Sequence, residues 1–292
     1  MSKPLDAIER TFFNNLFVSL AEEMGVTLAR TAYSPNIKER KDFSCAVFTP
    51  DGALLAQAAH IPVHLGAMPM SVAAIMEAFP KMSPGQVFIV NDPFCGGTHL
   101  PDITIVSPVF FDEACLGFLA TRAHHADVGG ISPGSLPIST SIYQEGFRVA
   151  PCELTDEVIG LLCTNSRTPE ERRGDLRAQL AAHVVGEKRL LACADKYGRK
   201  KLRSVMRALL AYGRTTMEQV IKRIPDGVYR FKDCLDNDGV SDAPIPICVQ
   251  ITISGSQASV DFSGSSPSVA GSLNAVEAIT RSAVYYCFLC LV

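Results

Sequence analysis

The sequence lacks the features that mark membrane proteins and nucleic-acid-binding proteins. No stretch approaches the roughly 18 to 20 apolar residues that a membrane-spanning helix requires, so no membrane association is expected. The 27 lysines and arginines nearly balance the 30 aspartates and glutamates, giving a formal net charge of −3 and no indication of nucleic-acid binding. No secretory signal sequence opens the chain. We therefore expect a cytoplasmic protein whose ten cysteines stay reduced.

Two familiar catalytic motifs are also missing. The chain has no GxxxxGK[ST] loop for nucleotide phosphates, and we do not interpret the serines of "GGISPGS" as a nucleophile elbow. Its one CxxC pair, Cys287 and Cys290, lies in an apolar run without the second pair that a structural zinc site would need. The sequence therefore predicts neither an ATP site of that pattern nor a serine hydrolase.

The hydrophobic periodicity predicts an α+β fold with mixed sheets and long helices. Apolar residues at helical spacing indicate helices over residues 4–32 and 68–79 and a long helical region that starts at Thr168. The segments "FSCAVFTPDGALLAQ", "QVFIVND", "DITIVSPVFF" and "ACLGFLATRAHH" are typical of strands, and a further hairpin is expected across "SGSQ". This order of elements does not follow the regular alternation of a doubly wound parallel sheet.

Changes in pattern divide the chain into three predicted parts. Residues 1–165 would form an N-terminal α+β domain that carries the candidate site, 166–225 a helical segment, and 226–292 the start of a β-rich second domain. The final residues, "AVYYCFLCLV", lie within an apolar element that has no capping residue. We therefore expect the chain to be truncated, inactive alone, and prone to associate through that apolar face.

Two short segments concentrate residues that carry chemistry. In "FCGGTHLPDITIVSP" the glycines allow a sharp turn, and His99 and Asp102 follow it three residues apart. In "RAHHADVGG", His124 and His125 come at the end of a strand, so their side chains should point to opposite faces and only one should join His99. Imidazole nitrogens and carboxylate oxygens suit either a divalent metal or acid–base chemistry.

The remaining histidines are weaker candidates. His60 and His64 form another close pair, whereas His183 lies in the helical region and is expected to be structural. Glu39, within "NIKERKDFSC", would by itself be an ordinary surface charge. Asp127 could orient a ligating imidazole through a hydrogen bond.

Four segments together resemble the hydantoinase B/oxoprolinase family: "NIKERKDFSCAVFTPDGALLAQAAHIPVHLGAMP", "VNDPFCGGTHLPDITIVSPVF", "RAHHADVGGISPGS" and "DFSGSSPSVAGSLNA". The resemblance runs from about Asp6 to the last residue and covers the N-terminal portion of the longer family members. The family includes N-methylhydantoinase subunits, 5-oxoprolinases and the metal-carrying subunits of acetone and acetophenone carboxylases.

The resemblance implies a set of site residues. The metal ligands would be Glu39, His99, Asp102 and His124, holding zinc, manganese or iron. The resemblance also implies catalytic or substrate-facing roles for three further residues: His125, Asp127 and, more weakly, His64.

The resemblance further implies a division of labour with a hydantoinase A-type partner in a hetero-oligomer. The partner would use Mg-ATP to activate the carbonyl of a small cyclic amide, and the metal bound by this chain would assist attack by water on the activated ring. Two alternatives stay open: a metal-carrying subunit of an ATP-dependent ketone carboxylase, and an inactive truncated fragment.

Overall fold

The computed structural model describes residues 5–58, 61–135 and 137–292. Within these ranges the helices are α1 (Ala7–Thr31), α2 (Pro35–Lys38), α3 (His64–Ala78), α4 (Asp156–Thr164), α5 (Pro169–Tyr197), α6 (Arg199–Ile221) and α7 (Glu277–Leu289). The strands are β1 (Phe43–Phe48), β2 (Leu54–Gln57), β3 (Phe88–Val90), β4 (Asp102–Phe111), β5 (Ala114–His124), β6 (Cys152–Glu153), β7 (Gly227–Leu235), β8 (Ile245–Ser254) and β9 (Gln257–Asp261).

These strands form two sheets, in the orders β2-β1-β5-β4-β3-β6 and β7-β8-β9. The α+β class is confirmed, but the described strand pairs are all antiparallel, so the expectation of mixed sheets was wrong in that detail. A tight turn explains the direction of the central pair. Asp112 and Glu113 both have positive φ, as a two-residue hairpin turn requires, and they join β4 to β5 directly.

The main helices begin and end where their sequences favour it. Asp6 caps α1 by accepting a hydrogen bond of 2.8 Å from the backbone N–H of Glu9. Pro169 occupies the first turn of α5, and Gly198, at a φ of 78°, separates α5 from α6. The helical region that the sequence predicts after Thr168 is therefore divided into two helices at this glycine.

The six-stranded sheet has a different partner on each face. From β5, Phe118 and Ala120 pack in one apolar cluster with α3, whereas Leu119 and Ala123 pack in another with α1 and α5. Because side chains alternate along a strand, the side chains of His124 and His125 must also point to opposite faces of the sheet. This alternation determines which histidine reaches the candidate site.

On the α5 side, the core contains buried polar contacts. His183 lies 2.6 Å from Ser107 Oγ and 3.0 Å from Thr121 Oγ1, and Gln179 donates to the carbonyl of Ile103. Burial lowers the pKa of His183 to about 3, so the ring is neutral. The structural role expected for His183 is confirmed.

The C-terminal helix packs against α3 through a close backbone contact. Ser282 Oγ on α7 accepts a 2.9 Å hydrogen bond from Gly66 N–H, and a Cβ on Gly66 would overlap the α7 backbone. Beyond this contact Tyr285 and Leu289 are about half exposed. None of the helices in the described ranges is both long enough and apolar enough to cross a bilayer. The three-part domain division stays a prediction.

Candidate functional site

The segment between β3 and β4 is shaped by one glycine. Asp92 Oδ1 accepts the backbone N–H of Phe94 at 3.0 Å and begins a single 3-10 turn, which ends at Gly96 with a φ of 83°. A side chain at Gly96 would overlap the backbone of Met70 and Ser71 on α3. The turn can therefore dock on α3 only with glycine here, and this docking aims the following residues at the end of the sheet.

Three of the predicted ligands converge at this point. His99 Nε2 lies 3.1 Å from Asp102 Oδ1 and 3.2 Å from His124 Nδ1. His124 Nδ1 lies 3.4 Å from the same carboxylate oxygen, because Asp102 and His124 are directly opposite in the β4–β5 ladder. One ligand atom from each residue falls within 4.8 Å of the others.

The chemistry of this cluster fits a divalent metal. Asp102 Oδ1 is buried and has no hydrogen bond of acceptable geometry among the described residues. An unsatisfied carboxylate oxygen next to two imidazole nitrogens is the donor set that zinc, manganese and iron accept. A buried oxygen without a partner is otherwise costly.

The other carboxylate oxygen of Asp102 is held from behind. His64 Nε2 lies 3.3 Å from Oδ2, and the Thr98 hydroxyl donates a short hydrogen bond to the same oxygen. His64 Nδ1 lies 2.8 Å from Ser44 Oγ, so a ring protonated at Nε2 can donate to Asp102 while it accepts from the serine. Burial opposes ionisation, but the interactions with His124 and His64 outweigh it and hold the pKa of Asp102 well below its usual value.

A fully buried arginine underlies the cluster. Arg122 donates to Thr104 Oγ1 at 2.8 Å, to Ser71 Oγ at 2.7 Å and to the Gly96 carbonyl at 3.0 Å. Burial lowers its pKa to about 10, opposed by the charge of Asp102, so the guanidinium stays cationic. It ties the glycine turn to α3 and the sheet. Sequence reasoning missed this residue, although it opens the "RAHHADVGG" segment.

His125 and Asp127 lie away from the three-ligand cluster. His125 is fully buried on the opposite face of the sheet, 3.0 Å from Gln179 Oε1, and burial together with Arg172 lowers its pKa. Asp127 accepts the backbone N–H groups of Gly129 and Arg167. The contacts of both residues are those of structural groups. His60 lies outside the described residues.

The structure does not bring Glu39 to the cluster. Its side chain is exposed at the end of α2 and makes no hydrogen bond or ion pair with a described residue. Asp42, from the same segment, is closer: its Oδ2 lies 3.8 Å from His124 Nδ1, and its carbonyl accepts the His124 N–H at 2.9 Å. Asp42 was not singled out from the sequence, although it lies in the motif that pointed to Glu39.

A cavity of about 600 Å³ opens beside the cluster. His99 and Thr98 form part of its wall, together with residues of the segments 135–145 and 268–278. Ser272 Oγ donates to the Pro137 carbonyl at 2.9 Å and links the two segments. Residues of the long connection between β5 and β6 therefore form one side of this cavity.

The comparisons with known proteins agree with these features. The family model described as Hydantoinase B/oxoprolinase matches residues 6–292. The chain belongs to this family. The family membership expected from the sequence motifs is thereby confirmed.

Two relatives illustrate the extent of the match. "5-oxoprolinase 1" from Arabidopsis thaliana is 36% identical over 98% of the chain and 25% of that protein. A protein from Pseudomonas sp. (strain NS671), named as a putative D-/L-hydantoinase subunit, is 33% identical over 91% of the chain and 48% of that protein. The chain thus spans a quarter to about half the length of these relatives.

Two solved structures share the fold of this family member. An ATP-dependent caprolactamase from Pseudomonas jessenii aligns with a TM-score of 0.91 and 29% identity, over 97% of the chain and 50% of that structure. A nucleotide-free acetone carboxylase aligns with a TM-score of 0.88 over 97% of the chain and 40% of that structure, but at 18% identity this likeness shows the fold alone.

Proposed function

We propose that this chain is the metal-carrying part of an ATP-dependent cyclic amidase that opens a lactam or imide ring. The observation that carries the proposal is that His99 belongs to two features at once. It belongs to the three-ligand cluster and also lines the 600 Å³ cavity. A ligand in that cavity would therefore meet the candidate metal centre directly. The 29% identity to a structure named as an ATP-dependent caprolactamase supports this reaction class.

In this proposal His99, Asp102 and His124 hold a divalent metal, with zinc, manganese and iron as candidates. When bound, such a metal supplies Lewis-acid polarisation or a water molecule of lowered pKa. The family resemblance adds Glu39 as a fourth ligand, while the position of Asp42, 3.8 Å from His124 Nδ1, makes it the competing candidate.

The chain's own residues fix this arrangement. His64 and Thr98 hold Oδ2 of Asp102 and so direct Oδ1 towards the two histidines. We propose that His64 acts through Asp102 and does not face the substrate. Arg122 keeps the glycine turn seated on α3. We likewise assign His125 to support of the sheet, since its contact is with Gln179 on the far face.

The activating step belongs, in this proposal, to a hydantoinase A-type partner that binds Mg-ATP, so the active protein is a hetero-oligomer. The Pseudomonas relative, which is named as one subunit of a hydantoinase, supports such a partner. In the net reaction one water would add across the ring C–N bond to give an amino acid or N-carbamoyl amino acid, and a second would take up the phosphoryl group of ATP, leaving ADP and phosphate. We propose a cytoplasmic location, which the ten free cysteines support.

The test is co-expression with the hydantoinase A-type partner, followed by assays of ATP hydrolysis and of ring opening with lactams and hydantoins. We expect ring opening coupled to ATP use, and loss of ring opening in the His99→Ala complex. ATP use that requires a ketone and bicarbonate would instead support the carboxylase alternative. No turnover by an intact, metal-loaded complex would support the inactive fragment.

Metal content separates the two candidates for the fourth ligand. Glu39→Ala and Asp42→Ala are compared with Glu22→Ala, which removes an exposed carboxylate from α1. If Glu39 is a ligand, only its variant should lose metal during equilibrium dialysis. Selective loss in the Asp42 variant would assign that role to Asp42.

A further inference from the structure

We propose that the cavity beside His99 selects uncharged cyclic amides and discriminates against ring substrates that carry a carboxylate. This inference rests on the proposed function and narrows its substrate class. It follows from the charges on the described residues that line the cavity.

The described lining contains two acids and no lysine or arginine. Glu145 and Glu277 face the cavity, while the other lining groups are small, apolar, hydroxylic or, at Asn274, an amide, with His99 as the basic exception. Glu145 is positioned by the Ser139 hydroxyl, which donates to its Oε1 at 3.1 Å. A carboxylate brought into this space by a ligand would be repelled by Glu145, whereas the charge of Glu277 is balanced by Arg281.

The two arginines nearest along the chain to lining residues are already paired with acids. Arg281 Nη2 lies 2.7 Å from Glu277 Oε1, and Arg148 Nε lies 3.6 Å from Asp92 Oδ2. Recognition of a carboxylate normally uses a guanidinium that is free to form two parallel hydrogen bonds. Arg281 is not free in this way, and Arg148 does not belong to the cavity lining.

The same groups suit a neutral amide ring. The carboxylates of Glu145 and Glu277 can accept ring N–H groups, and the hydroxyls of Thr140 and Ser141 can donate to ring carbonyls. The volume of about 600 Å³ lies within the range of small-molecule sites. Met70 and Phe94 provide apolar surface for the ring carbons.

The test compares ligands that share one ring. Binding of 2-pyrrolidinone is measured against 5-oxoproline, which is the same lactam with a carboxylate, by ligand-observed NMR titration of the full chain with its partner. Titrations run with and without Zn²⁺, so that capture of the carboxylate by the metal is detected. We expect the neutral lactam to bind at least about tenfold more tightly.

A matched pair of variants tests whether the charges at the cavity cause the preference for the neutral lactam. Glu277→Gln removes one acid and releases Arg281 at the cavity, so the preference for the neutral lactam should fall about two- to fivefold. Glu218→Gln releases Arg214 from an equivalent i,i+4 pair on α6, away from the cavity, and should leave the preference unchanged.

Equal or tighter binding of 5-oxoproline, with or without Zn²⁺, would overturn the inference. So would failure of both lactams to bind, or an equal change in the two variants. The ring-opening assay of the complex is a separate readout. Turnover of 5-oxoproline would therefore refute the selectivity and leave the proposed cyclic amidase standing.

Discussion

Replacing Gly96 by alanine should damage both the fold and the candidate metal centre. At a φ of 83°, any residue with a Cβ has a steric cost of about 1–2 kcal/mol. The new Cβ would also lie 2.8 Å from Met70 Cβ and overlap the backbone of Ser71, and such overpacking costs about 1–3 kcal/mol more. We expect a total loss of about 2–5 kcal/mol in the free energy of unfolding.

Gly85 supplies the control for this prediction. Its φ of 84° is nearly the same, but an added Cβ would meet no atom within 4 Å. Gly85→Ala should therefore show the backbone cost alone, and the reduced entropy of the unfolded chain is common to both variants. The difference between the two unfolding free energies then isolates the contact with α3.

Urea unfolding followed by circular dichroism measures the stability difference, and metal content after dialysis measures the effect on the site. Gly96→Ala should lose about 1–3 kcal/mol more than Gly85→Ala, and it should retain less metal because His99 follows the displaced turn. Equal stability losses and equal metal content would show that the turn does not depend on its contact with α3.

Three further outcomes follow from the site and the core. His124→Ala should reduce metal content much more than His125→Ala, whereas the latter should mainly lower stability; equal metal loss would contradict the assignment of faces. His64→Leu should weaken metal binding about 10- to 100-fold through the loss of support for Asp102, with partial rescue by His64→Gln; unchanged affinity would remove that role. Because the pKa of His183 falls from 6.5 to about 3 on folding, the unfolded chain binds the proton first as pH falls. The contribution of His183 to stability should therefore decline by about 1.4 kcal/mol per pH unit between those values, and the stability of His183→Gln should fall by that much less; the same decline in both proteins would exclude His183 as a source.

Local pattern predicted much of the central sheet and part of the site. The alternation along β5 separated His124 from His125, and the glycine turn indicated that His99 and Asp102 belong together. Their contact with His124 depends on the register between β4 and β5. A tight turn between two strands fixes that register, so this contact can be predicted from the sequence.

Features that depend on tertiary contacts were not predicted. Strand β7 escaped recognition because most of its residues are exposed, so burial does not impose an apolar alternation on it. The support of Asp102 by His64 joins α3 to β4, and the position of Arg122 beneath the turn depends on the same packing. No spacing within one segment encodes these distances.

The exposed turn formed by Asp112 and Glu113 fixes the number of residues that can join β4 to β5. A single inserted residue that shifted β5 by one position against β4 would exchange the faces of every side chain along it. Ala123 would then lie opposite Asp102, and His124 would enter the apolar interface with α5. A surface hairpin that touches neither the candidate ligands nor the cavity would thus tolerate substitution far better than insertion or deletion.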